Sequence, residues 1–353
     1  MTKTELCHDA QTILIGSALR GRPDQYQAEI NIGRPDSLAE ACFEYDLHDG
    51  DNDWGSALQR CDALILTSRG LGRQAIERAT NLRFVQKLGR SIERVDVDAC
   101  RARGITVSML PDAGHVAVAE HTLALLMASL RQLTSSQNAV LNGENPRELK
   151  PVITTQTQRY PNWLGLKMDG FRPLSELTLG LIGFGEIARE VAWRARALGM
   201  QLLYTKRNPP QGIPDELLGR RVSQEELLGS ADIVSIHATL PDGQPPIIGK
   251  AELDMMKSDA MLINTARGNQ VDQGALFAML KKGRLGFAAL DVFEIEPVPA
   301  GHLAGIPNLI VTPHTGANTP MGHRFKGALQ NVVAYAHQQP ITGKMEAFES
   351  GSA

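Results

Sequence analysis

Short runs of β-branched and other apolar residues recur along the chain, each followed by a stretch whose apolar positions fall at helical spacing. "TILIG" (12–16), "ALILT" (63–67), "FVQKL" (84–88) and "ITVSML" (105–110) occupy the first third. "LTLGLIG" (177–183), "QLLYT" (201–205), "DIVSIHA" (232–238), "MLINTA" (261–266) and "FAALDVF" (287–293) follow. Strands that are apolar throughout, rather than at alternate positions, are covered on both faces, and their alternation with helices predicts parallel sheets joined by crossover helices. The fold class is α/β.

The same pattern divides the chain. From Val116 the positions Ala119, Leu123, Leu126, Met127 and Leu130 keep helical spacing, which predicts a long, largely buried helix carrying the chain from one lobe to the other. Residues 142–176 then lose periodicity and are rich in Asn, Gln and Pro, an irregular connection with Trp163 as its expected anchor. A fresh strand–helix series follows, and beyond Val311 there remains a helical pattern from about Gly322 to Gln338. A terminal helix of this kind must pack on something already built. The first lobe is therefore expected to be discontinuous, residues 1–117 with 312–345, with 118–311 inserted and 346–353 a frayed tail.

Composition narrows the function. The chain has 353 residues, 42% of them apolar, enough for two cores. Its formal charge of -3 provides no global field for nucleic acid or an anionic membrane. The start "MTKTELCHDAQ" lacks a signal-like apolar core, and "VAVAEHTLALLMASL" is interrupted by Glu120 and His121, so a soluble cytoplasmic protein is expected. Cys7, Cys42, Cys61 and Cys100 are far apart with no CxxC pair, which predicts free thiols rather than a metal site or disulfides.

One stretch carries chemistry on its own. "TLGLIGFGEIAREVAWRARALGM" supplies a strand, then Gly183, Gly185 and Ala188 in the pattern G-x-G-x-x-A, then a helix. Glycines permit a tight turn and the approach of backbone to a pyrophosphate, which a helix N-terminus attracts, while Ala188 allows close helix–strand packing. Glu186 and Ile187 belong to the same turn. The next strand ends at Thr205, where an acid would ordinarily bind the adenosine ribose, and Lys206 and Arg207 follow. A missing acid and two cations favour a 2′-phosphate, hence NADP(H) over NAD(H). Downstream, Ala266 and Arg267 follow one strand, Asp291 and Glu296 another, and His314 a third. In open α/β sheets ligands bind beyond the carboxyl ends of strands, so these positions converge.

Five stretches, "VAEHTLALLMASLR", "GLIGFGEIA", "INTARG…VD", "AALDVFEIEP" and "TPHTG", together resemble the D-isomer-specific 2-hydroxyacid dehydrogenase family, in order over residues 60 to 335. The resemblance implies two Rossmann/flavodoxin-like lobes, the cofactor lobe inserted in the substrate lobe, and a homodimer joined through the cofactor lobes. It places the catalytic roles on Arg267, Glu296 and His314, and cofactor contacts at Thr239, Ala266 and Asp291. It places the substrate carboxylate at Gly89, Arg90 and Ser91, where relatives have Gly-small-Gly, with Arg69 a second candidate. Arg90 departs from that pattern, so either its side chain turns outward or the substrate carries a second anionic or polar group.

The roles also follow from chemistry. A 2-oxo acid needs its carboxylate held and its carbonyl polarised, which a guanidinium does with paired donors. The developing alkoxide needs a proton, for which imidazole is suited near neutrality, and a carboxylate bonded to that imidazole fixes its tautomer. The resemblance implies reduction of glyoxylate or hydroxypyruvate as the activity. A dinucleotide-sensing corepressor-like protein without turnover, or a formate- or phosphite-type dehydrogenase, are the alternatives on the same fold.

Overall fold

The computed structural model describes two strands near the N-terminus, Thr12–Gly16 and Cys42–Asp46, and residues 54–343 apart from 68, 90, 91, 93, 154, 158, 167–171, 208–218, 241, 242 and 319–322. The chain separates into two compact units, Met1–Ala117 with Ala317–Ala353, and Val118–Gly316. The second unit thus ends at Gly316 rather than at the expected 311. The cause is local: the turn after its last strand is tied back by hydrogen bonds to Asp291. The expected tail, 346–353, lies outside the described residues.

In the first unit, strands β1 (Thr12–Gly16), β2 (Cys42–Asp46), β3 (Ala63–Leu66), β4 (Phe84–Leu88) and β5 (Thr106–Leu110) form a parallel sheet in the order β2-β1-β3-β4-β5. Helices α1 (Ala57–Arg60), α2 (Arg73–Arg78) and α3 (Val97–Ala102) belong to the same unit. One core joins Leu64, Leu66 and Val85 of the strands to Leu58, Ile76 and Cys100 of these helices. The other joins Ile65 and Phe84 to Phe325, Leu329 and Tyr335 of the C-terminal helix His323–Ala336. The rings of Phe84 and Tyr335 stack at 4.8 Å. Buried Asn331 locks that helix in place, donating to Gln86 Oε1 at 2.7 Å and to the Thr342 carbonyl at 2.8 Å, so its amide is satisfied away from water. Cys61 and Cys100 are buried thiols outside any disulfide among the described residues, and burial pushes the Cys100 thiol up to about 12.

In the second unit, β6 (Thr178–Ile182), β7 (Gln201–Thr205), β8 (Arg220–Arg221), β9 (Ile233–Ile236), β10 (Met261–Asn264), β11 (Phe287–Leu290) and β12 (Leu309–Val311) form a parallel sheet in the order β12-β11-β10-β9-β6-β7-β8. The order reverses between β6 and β9, the switch point at which a doubly wound sheet opens a crevice. Helix α4 (Ala113–Leu130) starts in the range of the first unit and enters the second. By length and composition it is apolar enough to cross a membrane, with a mean hydropathy of 1.3. Here Ala119, Leu123 and Leu126 are core residues instead, packed with Leu179 and Leu181 of β6. Each such leucine contributes about 1.5–3 kcal/mol of burial. Helices α5 (Leu133–Leu141), α6 (Glu186–Ala197), α7 (Gln224–Ser230), α8 (Lys250–Met255) and α9 (Gln273–Lys281) follow. Among the described residues of 142–173 there is no helix or strand, and Trp163 is half-buried.

Candidate active site

Because the second sheet is parallel throughout, its carboxyl ends lie along one edge, and the residues singled out in that unit sit in the turns leaving it. After β6, Gly183 has φ 86, and a Cβ there would lie 2.7 Å from the backbone of Ala238, so glycine is required twice over. Gly185 is the N-cap of α6 in extended backbone, and a Cβ on it would meet open space. Ala188 is fully buried beneath the turn, with Glu186 and Ile187 half-buried in front of it. A tight turn, room above it and the first amides of a helix together fit a pyrophosphate.

The Gly183 N–H donates to the Thr205 carbonyl at 3.1 Å, which ties this turn to the end of β7. Lys206 is half-buried and Arg207 exposed. A third cation, not picked out from the sequence, is present: Arg221 of β8 donates from Nε to the Lys206 carbonyl at 3.0 Å and from Nη2 to the Arg207 carbonyl at 2.7 Å. Beyond β9, His237 bonds Ser235 Oγ at 2.9 Å, burial pushes its imidazole down to about 4, and Thr239 is exposed.

The turn after β10 is shaped by a residue that sequence reasoning missed. Asn264, buried at the end of an otherwise apolar strand, accepts from the Ala266 N–H at 3.0 Å and donates to the Arg267 carbonyl at 2.8 Å. Arg267 is exposed, with Nη1 on the Ala266 carbonyl at 2.6 Å. Gly268 packs so tightly on the Phe293 backbone that a Cβ would overlap its carbonyl, which presses the Arg267 turn against the loop after β11.

That loop carries Glu296, whose two oxygens have separate tasks. Oε1 accepts from the Phe293 N–H at 2.9 Å, and Oε2 pairs with His314 Nδ1 at 2.8 Å. Burial pushes the Glu296 carboxyl up, but the His314 and Phe293 hydrogen bonds and the His314 charge outweigh this and leave it below its ordinary value. The structure thus brings together two side chains 18 positions apart in sequence. With Nδ1 engaged, Nε2 is the nitrogen of His314 that remains to exchange a proton. A cavity of about 580 Å³ is lined by this pair together with Phe293, Pro297, Leu303 and Val311.

His314 has φ 55, a left-handed conformation that costs a non-glycine residue about 1–3 kcal/mol. Asp291 is what holds it there. The His314 N–H donates to the Asp291 carbonyl at 2.8 Å, and the buried carboxylate of Asp291 accepts from Thr312 Oγ1 at 2.6 Å, Thr315 N at 2.9 Å and Gly316 N at 2.8 Å. His121 of α4 lies 2.9 Å from Thr312 Oγ1. Since the Thr312 hydroxyl spends its proton on Asp291, His121 Nε2 is the donor. The sequence pointed to Asp291 as a cofactor contact; in the structure its carboxylate meets the His314 turn and, at 3.3 Å, His121 Nε2. The signal for His121, a histidine inside an apolar helix, was visible but had no partner in view.

In the first unit, Arg69 is fully buried with its guanidinium 3.6 Å above the Trp54 ring. Buried Lys87 donates to the carbonyls of Thr67, at 2.6 Å, and Leu88. Gly89 has φ 119 and donates to the Leu110 carbonyl at 2.6 Å. Arg90 and Ser91 lie outside the described residues.

Residues 123–316 match D-isomer specific 2-hydroxyacid dehydrogenase, NAD binding domain. A glyoxylate reductase of Aeropyrum pernix is 35% identical over 80% of this chain and 82% of its own length. A D-3-phosphoglycerate dehydrogenase of Methanocaldococcus jannaschii is 31% identical over 77% of this chain, which spans 49% of that longer protein. Among solved structures, an acyclic imino acid reductase in complex with NADPH and D-Arg is 25% identical, with a TM-score of 0.52, over 95% of this chain and 100% of that one. With the dinucleotide turn and the paired His314 and Glu296 in one matched unit, the chain belongs to the D-isomer-specific 2-hydroxyacid dehydrogenase family.

Proposed function

We propose that the protein reduces a small 2-oxo acid of the glyoxylate or hydroxypyruvate type to the D-2-hydroxy acid, with NADP(H) preferred over NAD(H). The observation that carries the reading is the 2.8 Å pairing of His314 with Glu296 in the unit that bears the dinucleotide turn. A bound nicotinamide supplies and recovers the hydride. Gly183, Gly185 and the first turn of α6 hold the pyrophosphate, and Arg267 holds the substrate carboxylate and polarises the carbonyl. As the carbonyl π pair moves onto oxygen, His314 delivers a proton from Nε2, and Glu296 stabilises the charged imidazole beforehand. In the opposite direction His314 takes the proton from the hydroxyl.

The substrate class is supported by the similarity to a glyoxylate reductase. The cofactor preference is supported by Thr205, Lys206 and Arg207 at the end of β7, and by the similarity to an NADPH-bound reductase. A homodimer is supported by the exposed apolar side chains Leu141 and Ile153, 74% and 87% accessible, in and beyond α5. Oxidation of NADPH and NADH with glyoxylate, hydroxypyruvate and pyruvate tests the reading. Turnover with at least one oxo acid, faster with NADPH, is expected. Tight cofactor binding without turnover would favour a sensor. Replacing Thr205 with Asp and Arg207 with Ala shifts the preference toward NADH, and an unchanged ratio of catalytic efficiencies would defeat the cofactor assignment.

A further inference from the structure

We infer that Arg221, on the short edge strand β8, is the positioning residue that sets selectivity for a 2′-phosphorylated dinucleotide. The inference rests on the reading of the turn after β7 as the ribose end of the cofactor site. Lys206 and Arg207 alone are two cations on a turn, and a turn without backbone restraint gives an anion no fixed geometry. Arg221 supplies the restraint by bonding the carbonyls of both residues, at 3.0 and 2.7 Å, from two nitrogens of one rigid guanidinium.

Its own position is fixed by the sheet. Tyr204 pairs with Arg221 in the parallel ladder, and the Val222 N–H donates to the Tyr204 carbonyl at 3.0 Å. Successive side chains of a strand point to opposite faces, so Arg220 and Arg221 diverge. Arg220 pairs with Glu226 at 2.5 Å, which leaves Arg221 for the turn. Neither Arg207 nor Arg221 has a carboxylate partner among the described residues, and Nη1 of Arg221 has no protein acceptor among them. A dianionic phosphate bound beside this turn would meet the charge of Arg221 in addition to those of Lys206 and Arg207. Arg221 therefore acts twice, by shaping the turn and by adding charge beside it.

Adenosine 2′,5′-bisphosphate and adenosine 5′-monophosphate differ by the phosphate in question, and calorimetric titration of both into the wild type, Arg221→Ala and Arg221→Lys tests the inference. The wild type is expected to bind the bisphosphate more tightly. Arg221→Ala is expected to lose about tenfold in that affinity, with a much smaller change for the monophosphate, and Arg221→Lys to recover part of the loss. A wild type with no preference would sink the cofactor reading and this inference together. A preserved preference in Arg221→Ala, or equal losses for both nucleotides, would overturn the inference and leave the cofactor reading standing. Full recovery by Arg221→Lys would overturn the bracing role, because an ammonium lacks the fork that spans two carbonyls.

Discussion

The two edges of the second sheet are built from the same strands and do opposite things. At the amino edge, Asp232 accepts from the Thr178 N–H at 2.8 Å, Arg172 Nη1 at 3.0 Å and Lys257 Nζ at 3.1 Å, so an acid, two cations and a strand end satisfy one another. At the carboxyl edge Arg267 is exposed, His314 sits at φ 55, and Asp291 spends its carboxylate on holding the His314 turn. One edge closes its polar groups upon themselves, and the other uses buried polar groups to hold the exposed side chains of Arg267 and His314 in place. If the proposed function holds, the site in this unit is marked by backbone strain and exposed donors rather than by charge alone.

That contrast is broken most severely by removing the acid. His314→Asn is expected to lower the turnover of 2-oxo acid reduction by about 10²- to 10⁴-fold, as for loss of a general acid. Stability should hold, since asparagine tolerates left-handed backbone well, and thermal denaturation checks it. Arg267→Ala follows, with a fall of about 10²- to 10³-fold in kcat/KM for the oxo acid and little change in melting, and Arg267→Lys should restore it poorly for want of the planar fork.

The opposite edge gives the opposite signature. Asp232→Asn is expected to cost about 1–3 kcal/mol of stability by denaturant titration and to leave the rate per folded molecule unchanged. Burial raises the Asp232 carboxyl, but the Thr178 N–H, Lys257 and Arg172 outweigh it and hold the group below its ordinary value. Its contribution is thus complete above the ordinary aspartate pKa of roughly 3.9 and is lost as the pH falls through the lowered folded value. The difference between wild type and variant should close in acid. Of the three variants at the carboxyl edge, Glu296→Gln has the smallest effect, about tenfold on turnover, because glutamine still accepts from Nδ1 but offers no charge. In the wild type the Glu296 carboxyl should titrate below the roughly 4.3 of an ordinary glutamate, and His314→Asn should raise it, as followed by carbon NMR.

Much of this was legible in the sequence because periodicity reports what is buried. The runs at 178–182, 261–264 and 287–290 are apolar on both faces, and the glycines at 183 and 185 mark a turn by chemistry as well as spacing. The strands β2 and β8 were not legible. Both lie at sheet edges, "CFEYD" mixes acids with apolar residues, and the two arginines of β8 owe their strand to backbone pairing with β7. The bracing residues escaped for a different reason. His121 and Thr312 meet across 191 positions and Arg221 reaches Lys206 across 15, and no local pattern encodes such pairs. Asp291 was found, but a carboxylate does not announce which donors it will accept.

The central claim is that His314 and Glu296 act as one proton-transferring unit. The turnover of 2-oxo acid reduction in His314→Asn, Glu296→Gln and the double variant, under identical conditions, tests it most directly. If the two side chains work through their shared hydrogen bond, the double variant should be no slower than His314→Asn alone. Losses that multiply would show two independent contributions and contradict the account.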